Sequence, residues 1–121
     1  MSLWRNLLMK IVAKVTTYQI LASDLGTLFT NRGSTASFTF TLPPTADIQA
    51  GWWCEFFGVS AYGFVVASSG SSDNIVALND AGADTLTMTT ASRIIGASVR
   101  VVWDGTGWLA TEGAGPTYTV A

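Results

Sequence analysis

From Thr16 onward the chain alternates apolar and polar residues with the two-residue period of half-buried β-strands. The clearest case is Ser37–Leu42, where Phe38, Phe40 and Leu42 share one face and Ser37, Thr39 and Thr41 the other. Pro43-Pro44 ends that strand, because proline cannot donate to a ladder. Leu86 and Met88 alternate with Thr85, Thr87 and Thr89 within Asp84–Thr89, and Val99, Val101 and Trp103 alternate with Ser98, Arg100 and Val102. The last run leads into Asp104-Gly-Thr-Gly107, a tight turn in which glycine supplies positive φ, and Trp108-Leu-Ala resumes an apolar strand. The stretch from Ala97 to Glu112 therefore predicts a β-hairpin with a tryptophan on each side of its turn. Further strands are predicted at Thr17–Leu21, Gly51–Ser60, Gly63–Ser68, Asn74–Leu78 and Thr117–Val120, and one helical turn at Ala46–Ala50. Gly51–Ser60, GWWCEFFGVS, is the most apolar run and predicts a central strand covered on both faces. Turns are expected at 22–27, 30–34, 69–73 and 79–83. Short strands at this spacing, with turn chemistry between them, predict an all-β fold, an antiparallel β-sandwich or jelly roll of about eight strands spanning residues 17–121.

Residues 1–16 break the pattern and read as an N-terminal arm. Leu3, Trp4, Leu7, Leu8, Ile11, Val12 and Val15 fall on one helical face, with Ser2 as a cap, yet residues 9–15 also alternate as a strand would. The arm is an amphipathic helix or an exchanged strand. It holds Arg5, Lys10 and Lys14, three of the six basic residues in the chain, and the first acid is Asp24. Residues 1–23 thus carry +3 and residues 24–121 carry −5. Lys10 and Lys14 interrupt any signal-peptide core, and the apolar face is short for a membrane-surface helix. The arm is expected to pack on something other than its own domain, the alternative being an ordinary first element folded back on the core.

Composition sharpens the expectation. Only 12% of the 121 residues are charged, about half the usual fraction. Mean hydropathy is +0.38, yet no run approaches the ~18 apolar residues of a membrane span. A surface so poor in charge is expected to be covered in the working state, by copies of the chain or by a larger assembly. There is no histidine and one cysteine, Cys54. That removes Ser-His-Asp and Cys-His catalysis and histidine-based zinc sites, and leaves Cys54 as a small buried apolar group. Of the eight acids, most stand beside Gly, Ser or Asn, where Asp bonds local backbone. Asp80 with Asp84, and Asp73 with Asn74, lack calcium-loop spacing. Glu55 lies inside an apolar strand and is expected to face outward or pair with Arg93 or Arg100. No carboxylate pair of glycosidase type is evident. The glycine-rich Gly-Thr-Gly and Gly-Ala-Gly precede no helix and are not phosphate cradles. Six basic residues and a pI of 4.7 disfavour nucleic acid. No enzyme activity, cofactor or metal is expected.

Tryptophan is the remaining candidate chemistry. Trp52 and Trp53 are adjacent and so point to opposite faces of their strand. Trp103 is read as core, and Trp108, just past the turn, as rim. Trp52, Trp53 and Trp108 are the candidate subunit-interface residues, or a stacking platform for a host-surface glycan.

The order Asp24-Leu-Gly-Thr, Asn31-Arg-Gly, Thr39-Phe-Thr-Leu-Pro43, Gly51 opening an aromatic strand, Asn74-Ile, Gly96-Ala-Ser and Trp103-Asp-Gly-Thr-Gly-Trp108 resembles small β-sandwich domains of tailed-bacteriophage structural proteins. These occur as capsid decoration (cement) proteins and at tail-fibre tips, usually as trimers. The resemblance covers about residues 17–121 and rests on turns and strands. It implies a non-enzymatic virion component on the capsid surface, with itself and the major capsid protein as partners and no nucleic acid or membrane. A domain preceded by only 16 residues suits a free-standing decoration protein. The arm, through Leu3, Trp4, Arg5, Leu7, Leu8, Lys10, Ile11 and Lys14, is the expected capsid grip. A glycan- or receptor-binding fibre tip is the alternative.

Overall fold

The computed structural model describes residues 8–70, 73–88, 94–112 and 119–121. They form twelve short strands in two mixed sheets that pack face to face as a β-sandwich. The strands are β1 (Lys10–Ala13), β2 (Tyr18–Gln19), β3 (Thr27–Thr30), β4 (Phe38–Thr41), β5 (Trp53–Phe57), β6 (Phe64–Ala67), β7 (Ile75–Ala77), β8 (Asp80–Ala83), β9 (Thr85–Met88), β10 (Ser98–Trp103), β11 (Trp108–Glu112) and β12 (Thr119–Val120). Two 3-10 turns, Ala22–Asp24 and Thr45–Asp47, link strands. The seven-stranded sheet has the order β1-β3-β5-β10-β11-β7-β8, and the five-stranded sheet β12-β9-β6-β4-β2.

The expected sandwich is present, but the count of about eight is too low and the antiparallel expectation fails. Five of the ten described pairings are parallel: β1 with β3, β3 with β5, β2 with β4, β4 with β6, and β7 with β11. The cause is the winding. The first six strands alternate between the two sheets, so each returns to its own sheet one strand further on and in the same direction. The chain coils around its core before the β7–β8 and β10–β11 hairpins complete the large sheet. Residues 10–13, which also fitted a helical face, are a strand on the edge of this sheet, and Lys14 extends the ladder by donating its N–H to Thr30 at 3.0 Å.

The core is aromatic between the sheets. Phe40 is fully buried and meets Phe29, Phe38, Phe56 and Phe64 at ring separations of 5.0–5.7 Å. Rings this close are worth about 0.5–1.5 kcal/mol per pair beyond the area they bury. Asn31 is also fully buried. Its Oδ1 accepts from Val59 N at 2.7 Å and Ser60 N at 2.9 Å, and its Nδ2 donates to Tyr62 O at 2.6 Å. One side chain thereby satisfies the backbone of the β5–β6 loop, which has no ladder of its own.

Candidate functional site

The β10–β11 hairpin forms as its sequence predicts. Asp104 Oδ1 accepts from Thr106 N and Gly107 N, each at 2.8 Å, and Gly105 takes φ +98°. Those N–H donors favour the ionised carboxylate and hold the Asp104 pKa below its ordinary value. The register places Trp103 directly opposite Trp108. Residues opposite one another share a face, so both rings enter the core. Trp108 is fully buried, against the expectation of a rim position. Its ring lies 5.4 Å from Trp103 and 5.8 Å from Trp52, edge-on to the latter. Trp52 is buried too and donates Nε1–H to Ala22 O at 2.9 Å. Neither Trp52 nor Trp108 presents a face to a sugar or to another subunit.

Trp53 points the other way, as adjacency requires, and is half-buried on the outer face of the large sheet. The Arg100 guanidinium sits 4.6 Å from its ring centroid, and its six-membered ring lies against Gly26, where even a Cβ would approach to 3.5 Å. With those neighbours the ring is a wall rather than an open stacking platform. Arg100 stands opposite Glu55 in the register. Its Nε donates to Glu55 Oε1 at 2.6 Å, and its second nitrogen donates to the same oxygen. This is an ion pair expected for Glu55, with Arg100; Arg93 lies outside the described residues.

Around that pair the outer face of the seven-stranded sheet is apolar. One row across the strands is Trp53, Val102, Leu109 and Val76. The next is Ile11, Leu28, Glu55, Arg100 and Thr111, and Phe57 and Ser98 begin a third. Ile11 is 64% exposed, Val76 41%, Phe57 40% and Leu109 37%. A groove of about 400 Å³ runs over the pair, lined by Leu28, Glu55, Phe57, Ser98, Arg100 and Thr111. Reading the sequence missed Phe57, Val76 and Leu109 as surface residues. The available signal was that Val102-Trp103 and Trp108-Leu109 carry apolar residues on both faces.

The predicted arm is divided. Leu3, Trp4, Arg5 and Leu7 lie outside the described residues. Leu8 is exposed, Lys10 and Ile11 belong to β1, and Lys14 reaches over the Tyr18 ring at 3.9 Å. Residues 10–13 thus pack on β3 of their own domain rather than elsewhere. Asp24 is buried between Tyr18, whose hydroxyl donates to it at 2.8 Å, and Leu21 N at 2.9 Å, with Lys10 at 4.0 Å. Burial, and then the bond to Asp24, push the Tyr18 pKa up. Cys54 is buried in the core, and desolvation raises its thiol well above the ordinary range, so it stays protonated. Among the described residues no three Cys, Asp or Glu side chains gather as a metal site, and no helix is long and apolar enough to cross a membrane. No protein-family model and no curated protein matches the chain.

Proposed function

We propose that the chain is a non-enzymatic structural subunit that works inside an assembly, as a homotrimeric capsid decoration protein of a tailed bacteriophage. It rests on the virion surface through the outer face of its large sheet, against the major capsid protein. The observation that carries this reading is the chemistry of that face. Seven apolar side chains from six neighbouring strands surround two charges, and the two charges neutralise each other. Burying one large apolar side chain completely yields about 1.5–3 kcal/mol, and the mutual attraction and hydrogen bonds of the paired charges offset part of the cost of taking them out of water. The low charge content of the chain agrees with a covered surface, and the resemblance to phage β-sandwich proteins supplies the class of assembly.

The mechanism is mass action. A subunit that binds only the assembled shell stabilises it, by about 2.7 kcal/mol per site at a hundredfold excess over Kd. The test mixes purified protein with undecorated capsids and sediments them. Wild type co-sediments, while Val76→Asp with Leu109→Asp stays in the supernatant although its circular dichroism is unchanged. Capsids that the wild type leaves bare, or that the double variant coats equally well, refute the proposal. The glycan alternative has lost its platform at Trp52 and Trp108.

A further inference from the structure

The two ends of the seven-stranded sheet match each other. One end is β1, Lys-Ile-Val-Ala followed by Lys14, and the other is β8, Asp-Ala-Gly-Ala followed by Asp84. Both are four-residue strands bounded by like charges four positions apart, positive at one edge and negative at the other. Large side chains stand between the lysines and small ones between the aspartates. Lys10 and Asp84 are exposed, whereas Asp80 and Lys14, whose ammonium lies over the Tyr18 ring, are half-exposed. Among the described residues neither strand has a partner on its outer side. Among the described residues the five-stranded sheet differs, since its edge strands β2 and β12 have two residues each. Edges as short as those resist pairing, whereas a four-residue edge is a template for another chain, which the lysines of β1 and the register irregularity of β8 restrict to a matching partner.

We propose that β1 of one copy pairs with β8 of the next, head to tail, so that copies close into a ring with their large sheets continuous. This rests on the reading above that the chain assembles with itself, and it names the edges that do so. The occupant of each edge is a second copy because that copy supplies the opposite charge at the same sequence spacing, with one extra residue of β8 taken up by its register shift between Ile75 and Ala77. Strand direction fits as well. β1 runs parallel to β3 and β5, β10 turns back, and β11 and β7 run forward again. β8 is antiparallel to β7. A neighbour that continues the sheet with the same face outward therefore meets β1 in antiparallel fashion, with lysines and aspartates at both ends of the contact. A pairing of β1 with β1 would instead crowd four lysines together. In the single chain Asp80 Oδ1 holds the Gly82 N–H at 2.8 Å. Pairing exchanges that bond for a neighbour's carbonyl and releases Asp80 toward the neighbour's lysine. A heterologous contact of this kind closes into a ring or runs on as a filament.

The backbone supplies a selective test. Lys14 N–H bonds β3, and in a parallel ladder alternate residues bond the same neighbour, so Lys10, Val12 and Lys14 serve β3 while the Ile11 N–H faces outward. Ile11→Pro removes that outward donor and spares the β1–β3 ladder. Oligomeric state is measured by sedimentation velocity at 100 μM in low salt, with melting curves as the fold control. The expected result is a wild-type oligomer that dissociates at least tenfold more readily as Ile11→Pro, and as Asp80→Lys with Asp84→Lys. Adding Lys10→Asp and Lys14→Asp to the latter restores association, because both edges have then exchanged sign. High salt weakens the wild-type oligomer. A wild type that is monomeric overturns the proposal. An oligomer indifferent to both Ile11→Pro and the reversal on β8 overturns the edge pairing alone and leaves the assembly reading standing. The capsid test, which uses residues of the sheet face, fails or succeeds separately.

Discussion

Trp108→Ala distinguishes a core tryptophan from a ligand platform. The ring is fully buried between Trp103 at 5.4 Å and Trp52 at 5.8 Å, in the layer where β5, β10 and β11 close over the five-stranded sheet. Truncating a buried aromatic to alanine costs about 3–5 kcal/mol. Two aromatic pairs are lost with it, which places the expected cost in the upper half of that range, about 4–5 kcal/mol. A domain of this size has about 5–15 kcal/mol of stability in total. With a urea m-value of about 1.5 kcal/mol/M, the unfolding midpoint falls by roughly 3 M. The assay is equilibrium urea unfolding followed by circular dichroism at constant m. Trp53→Ala is the internal comparison, because it removes a half-buried ring and one guanidinium contact, for about 1–2 kcal/mol. A Trp108→Ala midpoint within about 0.5 M of wild type, the scale of a surface change, refutes the packing argument. It would return Trp108 to the rim.

Two further outcomes are expected. Leu78 holds φ +46° in the β7–β8 turn and is 38% exposed, so it bears the left-handed strain of about 1–2 kcal/mol without the reward of burial. Leu78→Asn should raise the melting temperature by about 3–5 °C, and a drop on thermal denaturation would show that Leu78 packs better than its exposure indicates. Asp104 has its folded pKa depressed by the backbone N–H groups of Gly107 and Thr106, so its contribution is present in full above the ordinary value of 3.8 and is lost as pH falls through the lower folded value. Carbon-detected NMR should place its midpoint below 3.8, and the stability gap between wild type and Asp104→Asn should narrow on acidification; a midpoint at or above 3.8 contradicts the turn geometry.

Strands whose faces differ in polarity were legible, and those whose stability comes from neighbours were not. Phe38 and Phe40, Leu86 and Met88, and Val99, Val101 and Trp103 alternate with polar residues and all turn inward. β3 escaped notice because its four residues lie between two turn sequences, and only pairing with both β1 and β5 makes them a strand. β8 is Asp-Ala-Gly-Ala, a composition with poor strand propensity, and it is folded against β7 by the turn at Leu78-Asn79. Trp108 was misjudged by its nearness to the turn. With only four residues between them, Trp103 and Trp108 stand opposite each other, and that register places both in the core. The parallel pairings were out of reach, because they depend on which sheet each strand joins and alternation within a strand carries no such label.

That winding also explains why this protein has usable edges. A hairpin meander tends to finish on short or turned-back strands, whereas a coil ends wherever its first turn lies. Here the first turn sets β1 beside β3, and nothing among the described residues lies beyond it. The later hairpins extend the sheet on its far side and stop at β8. Coiled β architectures need their end turns capped, since each turn otherwise offers its backbone groups to the next chain that arrives. A protein with so little surface charge would aggregate through such ends unless they selected one partner. Lysines on one edge and aspartates on the other supply that selection, because like edges repel and unlike edges attract. Among the described residues the fold leaves these ends open, and on the edge-pairing proposal the opposite charges at those ends select another copy of the same sheet to cover them.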